Sequence, residues 1–282
     1  MDRGNVVITG ISTGIGLATA RKFLQENYRV FGSVRKQKDA TRLSDSLGPN
    51  LVPLLFDVTD HKAIAKEADK VSNLVGEKGV SLLINNAGIA VNGPVADLEL
   101  DDYQFQFDVN FFGLIATTKA FLPLLGATKG SKYPPGKIFN ISSVSGEISY
   151  PFMSPYVASK HAVEGFSKSL RQELLLFGVD VIIIGPGATK TPIWDKVEPF
   201  DEKLFESDYG EILVRFRSQI MKESEDAMDA DLLAHKIFDI FIDNKPRTRY
   251  AILKNKFTRW TLPRYLLSDR QVDNFVRKIF GI

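Results

Sequence analysis

Cysteine is absent from the 282-residue chain, which excludes disulfides, thiolate metal sites and a cysteine nucleophile while leaving the compartment open. Histidine is nearly as scarce: His61, His161 and His235 are scattered at no metal-ligand spacing, and no metal is expected. No Pro/Gly/Ser-rich linker or long block of like charge interrupts a chain that is 44% hydrophobic, so one compact domain with a sizeable core is expected. Nor does any stretch approach the ~20 apolar residues of a spanning helix; the run Leu174 to Ile184 is broken by Asp180. Met1-Asp2-Arg3-Gly4 leads directly into Val6-Val7-Ile8 without a charged-then-apolar leader, which points to a cytoplasmic protein.

What the chain has is alternation. Short apolar runs at Asn5–Thr9, Arg29–Val34, Leu51–Phe56, Val80–Ile84, Lys137–Ile141, Val179–Ile184 and, more weakly, Tyr250–Leu253 are separated by longer amphipathic stretches. Continuously apolar strands joined by helices predict an α/β fold, a doubly wound parallel sheet of Rossmann type covered on both faces by right-handed crossovers. Ligands of such sheets bind beyond the carboxyl ends of the strands, so the strand ends are where chemistry is sought.

The first strand ends in Thr9-Gly10-Ile11-Ser12-Thr13-Gly14-Ile15-Gly16, followed by a helical run from Leu17. Glycines there permit a tight turn and close approach of a diphosphate to backbone N–H groups, and the helix N-terminus adds a favourable dipole. The second strand ends Ser33-Val34-Arg35-Lys36, where an acidic residue would be expected to grip the ribose hydroxyls of NAD. Arg35 and Lys36 suit a ribose 2′-phosphate instead, which favours NADP(H) over NAD(H); the bland alternative is a pair of solvated basic residues. Asp57, in Phe56-Asp57-Val58-Thr59, is read either as an acceptor for the adenine amino group or as the cap of a helix starting near Asp60. The amides of Asn85-Asn86-Ala87-Gly88 suggest a polar network beside the cofactor, with Asn86 either functional or purely structural.

Tyr156 and Lys160 stand four residues apart, on one face of a helix and about one turn from each other. A free tyrosine, with a pKa near ~10, neither gives nor takes a proton readily at neutral pH, and a neighbouring ammonium favours the phenolate. An isolated YxxxK is usually an exposed helix pair; the surrounding motifs decide otherwise.

Taken together, Thr9-Gly10-x-x-x-Gly14-Ile15-Gly16, Asn85-Asn86-Ala87-Gly88, Asn110 in Val109-Asn110-Phe111-Phe112-Gly113, Ser143, Tyr156-x-x-x-Lys160 and Pro186-Gly187 resemble the short-chain dehydrogenase/reductase family in its shorter, non-extended branch. The resemblance covers residues 5 to about 195. It implies that Tyr156 is the general acid of carbonyl reduction and the general base of alcohol oxidation, that Lys160 lowers the tyrosine pKa and holds the nicotinamide ribose, that Ser143 stabilises charge on the substrate oxygen, and that Asn110 positions a proton-relaying water. Ser143 is chosen for its thirteen-residue spacing from Tyr156, with Ser142 and Ser145 expected to make local backbone bonds and His161 to be a packing or surface residue. The resemblance further implies cofactor contacts at Gly10 to Gly16, Val58, Asn86, Ala87 and Gly88, and at Pro186, Gly187, Thr189 and Thr191 in the loop that places the nicotinamide carboxamide.

Beyond that loop, the segment 192–229 carries Ile193, Trp194, Phe200, Leu204, Phe205, Tyr209, Ile212, Leu213, Phe216 and Met221. It reads as a hydrophobic lid over a greasy substrate pocket, although the helical spacing of Ile212, Phe216 and Ile220 also fits ordinary core packing. The run Ser159 to Phe166 is similar to family members acting on steroids, retinoids and other lipophilic alcohols. From Lys245 to Ile282 ten Lys or Arg face two Asp, a balance of +8 in a chain of net charge +2. This basic, aromatic extension, 256–282, is read as packing on the domain 1–255, with contact to an anionic membrane surface as the alternative and nucleic acid disfavoured for want of a recognition motif. The resemblance also implies a homodimer or higher homo-oligomer, built on helices near 103–125 and 156–177. The expected activity is NADP(H)-dependent hydride transfer to or from a lipophilic ketone or secondary alcohol; the rival from another class is a catalytically silent nucleotide-sensing protein, against which the intact Asn110, Ser143, Tyr156 and Lys160 set argues.

Overall fold

The computed structural model describes residues 3–192 and 207–281. Its centre is a seven-stranded, wholly parallel sheet of order β3-β2-β1-β4-β5-β6-β7. The strands are β1 (Asn5–Ile8), β2 (Arg29–Val34), β3 (Leu51–Leu55), β4 (Leu82–Asn85), β5 (Lys137–Ile141), β6 (Asp180–Pro186) and β7 (Arg249–Ile252). All seven expected strands are present, displaced by at most two residues at their starts and ends. The order reverses between β1 and β4, which opens the crevice where a ligand sits.

Alternation along the buried strands builds a separate core on each face. Val6 and Ile8 point to one side, where they meet Phe23 of α1 (Gly14–Gln25), Leu43 of α2 (Gln37–Leu47) and Ile237 and Phe238 of a helix introduced below. Val7 points to the other, toward Ile64 and Val71 of α3 (His61–Ser72), Phe121 and Leu170. Each such side chain contributes about 1.5–3 kcal/mol of burial relative to exposure.

The second face is completed by α4 (Leu100–Phe107), a π-helical turn at Asp108–Phe112, α5 (Gly113–Phe121) and the long α6 (Ser154–Leu174). The continuous helical stretch Leu100–Leu125 has the length and hydropathy of a membrane span, in contrast to the reading of the sequence. It nevertheless carries Asp101, Asp102, Asp108 and Lys119, and Phe121, Leu124 and Leu125 are packed in the core. Part of its apolar surface therefore serves the sheet, while Leu100, Phe105 and Phe112 are exposed.

The carboxyl-terminal third adds α7 (Gly210–Glu225), α8 (Ala230–Ile242), a π-helical segment at Phe257–Leu266 containing Pro263, and α9 (Asp269–Phe280). α8 lies on the first face beside α1, where Phe23, Tyr28, Phe238 and Phe241 form edge-to-face and tilted ring contacts at 5.3–6.4 Å. The last two elements pack back on the body: Trp260 joins Val144 and Ala251, and Phe280 joins Leu213 and Phe216.

Candidate active site

The glycine-rich turn is held open by backbone geometry. Gly10 and Gly14 have φ of +73° and +60°, which L side chains rarely adopt, and a Cβ on Gly16 would collide with the Gly10 carbonyl and the Asn86 amide. Gly10 N–H donates to Ser33 Oγ at 2.9 Å, while the Thr9 hydroxyl accepts from the N–H groups of Asn86 and Ala87 at 2.9 and 3.0 Å. Asn86 Nδ2 donates to the carbonyls of Thr9 and Gly10, so this amide is structural: it ties the β4 end to the turn. Thr13 caps α1 in an extended conformation without a side-chain bond, and the first turn carries no acid. Ser12, Thr13, Gly14 and Ile15 therefore surround uncapped N–H groups at a helix N-terminus, a cradle that fits a diphosphate. Thr191 closes over it, since a Cβ on Gly14 would meet the threonine side chain at 3.1 Å.

The basic side of this cradle is exposed. Arg35 stands 3.7 Å from Asp57, and Lys36 caps α2 without a side-chain bond. The sequence missed Arg42, six residues further along on α2, whose guanidinium donates to the Ser12 carbonyl at 3.0 Å and to Asp39 at 3.1 Å. Asp57 does not cap α3. Asp60 does so, accepting from the N–H groups of Lys62 and Ala63, because it is the residue immediately before the first turn; Asp57 instead binds the Thr59 N–H and hydroxyl. The Val58 side chain is buried against Gly113 at the start of α5.

Ser143, Tyr156 and Lys160 converge where the β5 end meets α6. The Ser143 hydroxyl hydrogen-bonds the Tyr156 hydroxyl, accepts from the Ser145 N–H at 3.1 Å and lies 3.5 Å from the Pro186 carbonyl. Lys160 Nζ donates to the Ile141 carbonyl at 2.9 Å and lies 5.7 Å from the centre of the Tyr156 ring. Burial is the dominant influence on both groups. It pushes the Tyr156 phenol upward from its ordinary 10, opposed by the Ser143 bond, and brings the Lys160 ammonium down to about 8, opposed by Glu164. The direction differs from the expectation that Lys160 lowers the phenol pKa, because burial dominates it.

Asn110 sits in the π-helical turn and is buried. Its Oδ1 accepts from the Ile89 N–H at 2.9 Å, and its Nδ2 donates to the Ile89 carbonyl and to Ser159 Oγ at 3.1 Å each. Ser159 in turn donates to the Tyr156 carbonyl at 2.8 Å. The asparagine side chain thus fixes α6, and Ser159 is a supporting residue that the sequence did not single out. The neighbouring network Thr118, Asn85, Asn140 and Ser167 crosses the sheet beneath the site with bonds of 2.8–2.9 Å. Ser142 departs from expectation: its buried hydroxyl has no hydrogen-bond partner among the described residues and lines the cleft, because only its backbone N–H reaches Asn140 and Ile184. His161 is exposed, with Nδ1 2.9 Å from the Val157 carbonyl, as expected of a surface residue.

A second unforeseen device lies behind Ser143. Arg249, at the start of β7, forks onto Glu164 with bonds of 3.0–3.2 Å, pairs with Glu147 at 2.9 Å and reaches toward the Ser143 carbonyl at 3.4 Å. The Glu147 contact is an ion pair with poor hydrogen-bond angles, so charge and not directionality holds it. Both carboxylates are almost buried, and Arg264 from the carboxyl-terminal segment approaches Glu147 at 3.8 Å. Nothing local in the sequence links positions 85 and 102 residues apart.

Above these groups opens a cleft of about 640 Å³. Its floor is made by Ser142, Ser143, Tyr156 and Lys160 with Gly88, Pro186, Gly187, Thr189 and Thr191, which brings the ends of β1, β4, β5 and β6 together. Its walls are apolar: Val144 and Ile148, Met153, Phe216 and Ile220 of α7, Leu262 of the π-helical segment, and Phe275 and Ile279 of α9. Leu213 and Phe216 are buried against Phe152, Met153 and Phe280, as ordinary packing predicts, and Phe216 and Ile220 also line the cleft. Ile193, Trp194, Phe200, Leu204 and Phe205 lie outside the described residues.

The sequence matches the family described as short chain dehydrogenase over residues 4–202. It is 37% identical over 272 residues, 96% of this chain and 95% of the relative, to the NADPH-dependent 3-dehydrocapnine reductase of Ornithobacterium rhinotracheale. Human retinol dehydrogenase 16 is 34% identical over 87% of this chain and 79% of its own length. Among solved structures, a short-chain dehydrogenase/reductase of Burkholderia phymatum in complex with NAD superposes with a TM-score of 0.77 at 25% identity, covering 98% of this chain and 95% of that one. The closed form of a serine dehydrogenase complexed with NADP+ gives 0.72, also at 25% identity, covering 88% and 94%. With the family match over residues 4–202 and relatives of 34–37% identity along most of the chain, the protein belongs to the short-chain dehydrogenase/reductase family of oxidoreductases.

Proposed function

We propose that this oxidoreductase uses NADP(H) to interconvert a lipophilic carbonyl compound, a ketone in preference to an aldehyde, and its alcohol, with Tyr156 as the proton donor and acceptor. The observation that carries the reading is the meeting of the Ser143 and Tyr156 hydroxyls with the Lys160 ammonium at the floor of an apolar cleft adjoining the glycine cradle. The cofactor supplies or accepts the hydride when bound. The rest is the work of this chain's own groups.

Ser143 donates to the substrate oxygen and stabilises charge growing there, while Tyr156 passes its proton to the same oxygen in the reductive direction. Burial raises the phenol pKa and so keeps the proton on the tyrosine, a state that favours reduction. Lys160, fixed by the Ile141 carbonyl, presents its remaining donors to the ribose side of the cleft. Asn110 and Ser159 hold the helix register on which the Tyr156 to Lys160 spacing depends. NADP(H) is favoured by Arg35, Lys36 and Arg42 clustered at the β2 end, and by the named cofactors of the reductase relative and of the serine dehydrogenase.

A homodimer through the α4–α5 and α6 side is part of the same proposal, because Phe105, Phe112, Leu175 and Leu176 expose large apolar surfaces there. The deciding experiment follows NADPH and NADH consumption by the purified protein against steroid, retinoid, long-chain aliphatic and small aromatic ketones and aldehydes, with the alcohols in reverse. NADPH-linked turnover of long or polycyclic ketones, lost in Tyr156→Phe while NADPH still binds, is the expected result. Turnover confined to small polar substrates would overturn the lipophilic reading, and full turnover by Tyr156→Phe would remove the tyrosine from its role.

A further inference from the structure

The carboxyl-terminal extension does two things with its apolar residues. Trp260 and Phe280 are buried in the body, yet Phe257, Tyr265, Leu266, Phe275 and Ile279 remain 51–61% exposed. Phe275 and Ile279 border the cleft itself, as do Leu262 and Leu267 of the segment before them. The greasy wall of the pocket thus continues outward onto the protein surface, while Glu223, Asp226, Lys254 and Arg259 supply the charged part of the cleft lining. A lip of this kind is unfavourable in water unless something covers it.

The charge around the lip identifies the cover. Among the described residues, Arg249, Lys254, Arg259, Arg264 and Arg270 are each paired with a carboxylate, but Lys256, Arg277 and Lys278 are in no ion pair. Lys256 leans on the Trp260 ring, 5.2 Å from its centre, and Arg277 and Lys278 follow one another on α9 between Phe275 and Ile279. Of the two acids on α9, Asp273 is taken by Arg270 at 3.4 Å. Exposed aromatic and aliphatic side chains interleaved with uncompensated cations match the interface of an anionic bilayer, in which the rings enter the headgroup layer and the ammonium and guanidinium groups meet lipid phosphates. A second copy meeting the lip with the same face would set these cations against their like, with Asp269 as the α9 acid in no ion pair among the described residues.

We propose that the lip formed by Phe257–Leu266 and α9 docks on an anionic membrane surface, so that the mouth of the catalytic cleft opens toward the bilayer and lipophilic substrate enters from it. Docking stands independently of the substrate; loading from the membrane rests on the lipophilic-substrate reading above.

The test uses the full-length protein and vesicles of phosphatidylcholine alone or with 30% phosphatidylserine, read by co-sedimentation. Truncating the extension would uncover the pocket, so charge reversal is the cleaner variant. Each basic residue near such a surface contributes about fivefold to partitioning, and Arg277→Glu/Lys278→Glu is expected to weaken binding to the anionic vesicles by at least about 25-fold. Tyr265→Ser/Leu266→Ser is expected to weaken it in the same direction, and both variants should keep the wild-type melting temperature and NADPH affinity. Weak binding to neutral vesicles, strong binding to anionic ones and the loss in both variants support docking. Binding that is absent, indifferent to phosphatidylserine or unchanged by charge reversal overturns it, as does self-association in light scattering that the charge reversal abolishes in the absence of lipid. Loading is read separately: a ketone dissolved in anionic vesicles should be reduced faster than the same ketone in detergent by the wild type, and the advantage should vanish in the charge-reversed protein. If no lipophilic ketone is turned over in either medium, the substrate reading fails while the sedimentation result still decides docking.

Discussion

The floor and the wall of the cleft are built from different interactions. Beneath Tyr156 the structure is polar and densely bonded: Asn110 makes three hydrogen bonds, the Asn85–Asn140–Ser167 chain crosses the sheet, and Arg249 clamps two carboxylates behind Ser143. The wall opposite, from α7 through α9, is held largely by apolar contacts among Leu213, Phe216, Ile220, Val276 and Phe280, with Arg215 of α7 donating to the Phe280 and Gly281 carbonyls at the end of α9. Directional bonds fix positions to tenths of an ångström, which proton transfer needs; apolar contacts tolerate repacking, which a pocket for flexible greasy molecules needs. One enzyme can thus keep its chemistry rigid while its substrate side drifts.

The largest expected effect is on the floor. Tyr156→Phe should lower kcat by about 10²–10⁴ with the NADPH dissociation constant unchanged, measured by steady-state kinetics and fluorescence titration. A drop below tenfold would break the division at its centre. Arg249→Leu should destabilise the fold by about 3–5 kcal/mol, because it leaves Glu147 and Glu164 as buried unpaired charges; thermal denaturation reads it, and a variant as stable as wild type would show that the clamp is ornamental.

Lys160 offers a sharper test through its sign. Its folded value of about 8 lies below its ordinary 10.5, so the unfolded chain binds the proton more tightly and the buried ammonium costs stability at neutral pH. Lys160→Met should therefore gain about 1–3 kcal/mol at pH 7, with activity lost, and the gain should shrink as pH rises from 8 toward 10.5. A gain constant with pH would mean that packing and not desolvation is responsible. Arg35→Ala should weaken NADPH by about 1.5–3 kcal/mol while leaving NADH nearly unchanged, and equal losses would sink the 2′-phosphate assignment. The smallest effect belongs to the wall: Ile220→Ala should raise KM for long-chain substrates by about tenfold at nearly constant kcat. A comparable loss of kcat would erase the distinction between the two regions.

What could be read from the chain follows the same line. The strands declared themselves because Val6-Val7-Ile8 or Ile182-Ile183-Ile184 are apolar on both faces, and the glycine turn because glycine adopts the backbone angles found at Gly10 and Gly14 far more readily than L side chains do. Such properties are local. Arg249 gave no signal, since its partners are brought close only by the sheet, and Arg42 looked like one more basic residue on an exposed helix. Asp57 and Asp60 were separable only by which one precedes the first turn. The direction of the Tyr156 shift was misjudged because the helix spacing reveals the lysine but not the depth of burial.

The position of Arg249 has a consequence for how the protein comes into being. Its carboxylate partner Glu164 is 85 residues earlier, and synthesis at about 5–20 residues per second leaves that acid waiting about 4–17 s for its guanidinium. Through that interval a nascent chain can assemble β1 to β6 on the ribosome, but its Ser143 loop has no anchor and its pocket no outer wall. Catalytic competence therefore arrives last, with the final strand and the tail, well after the nucleotide-binding half can fold.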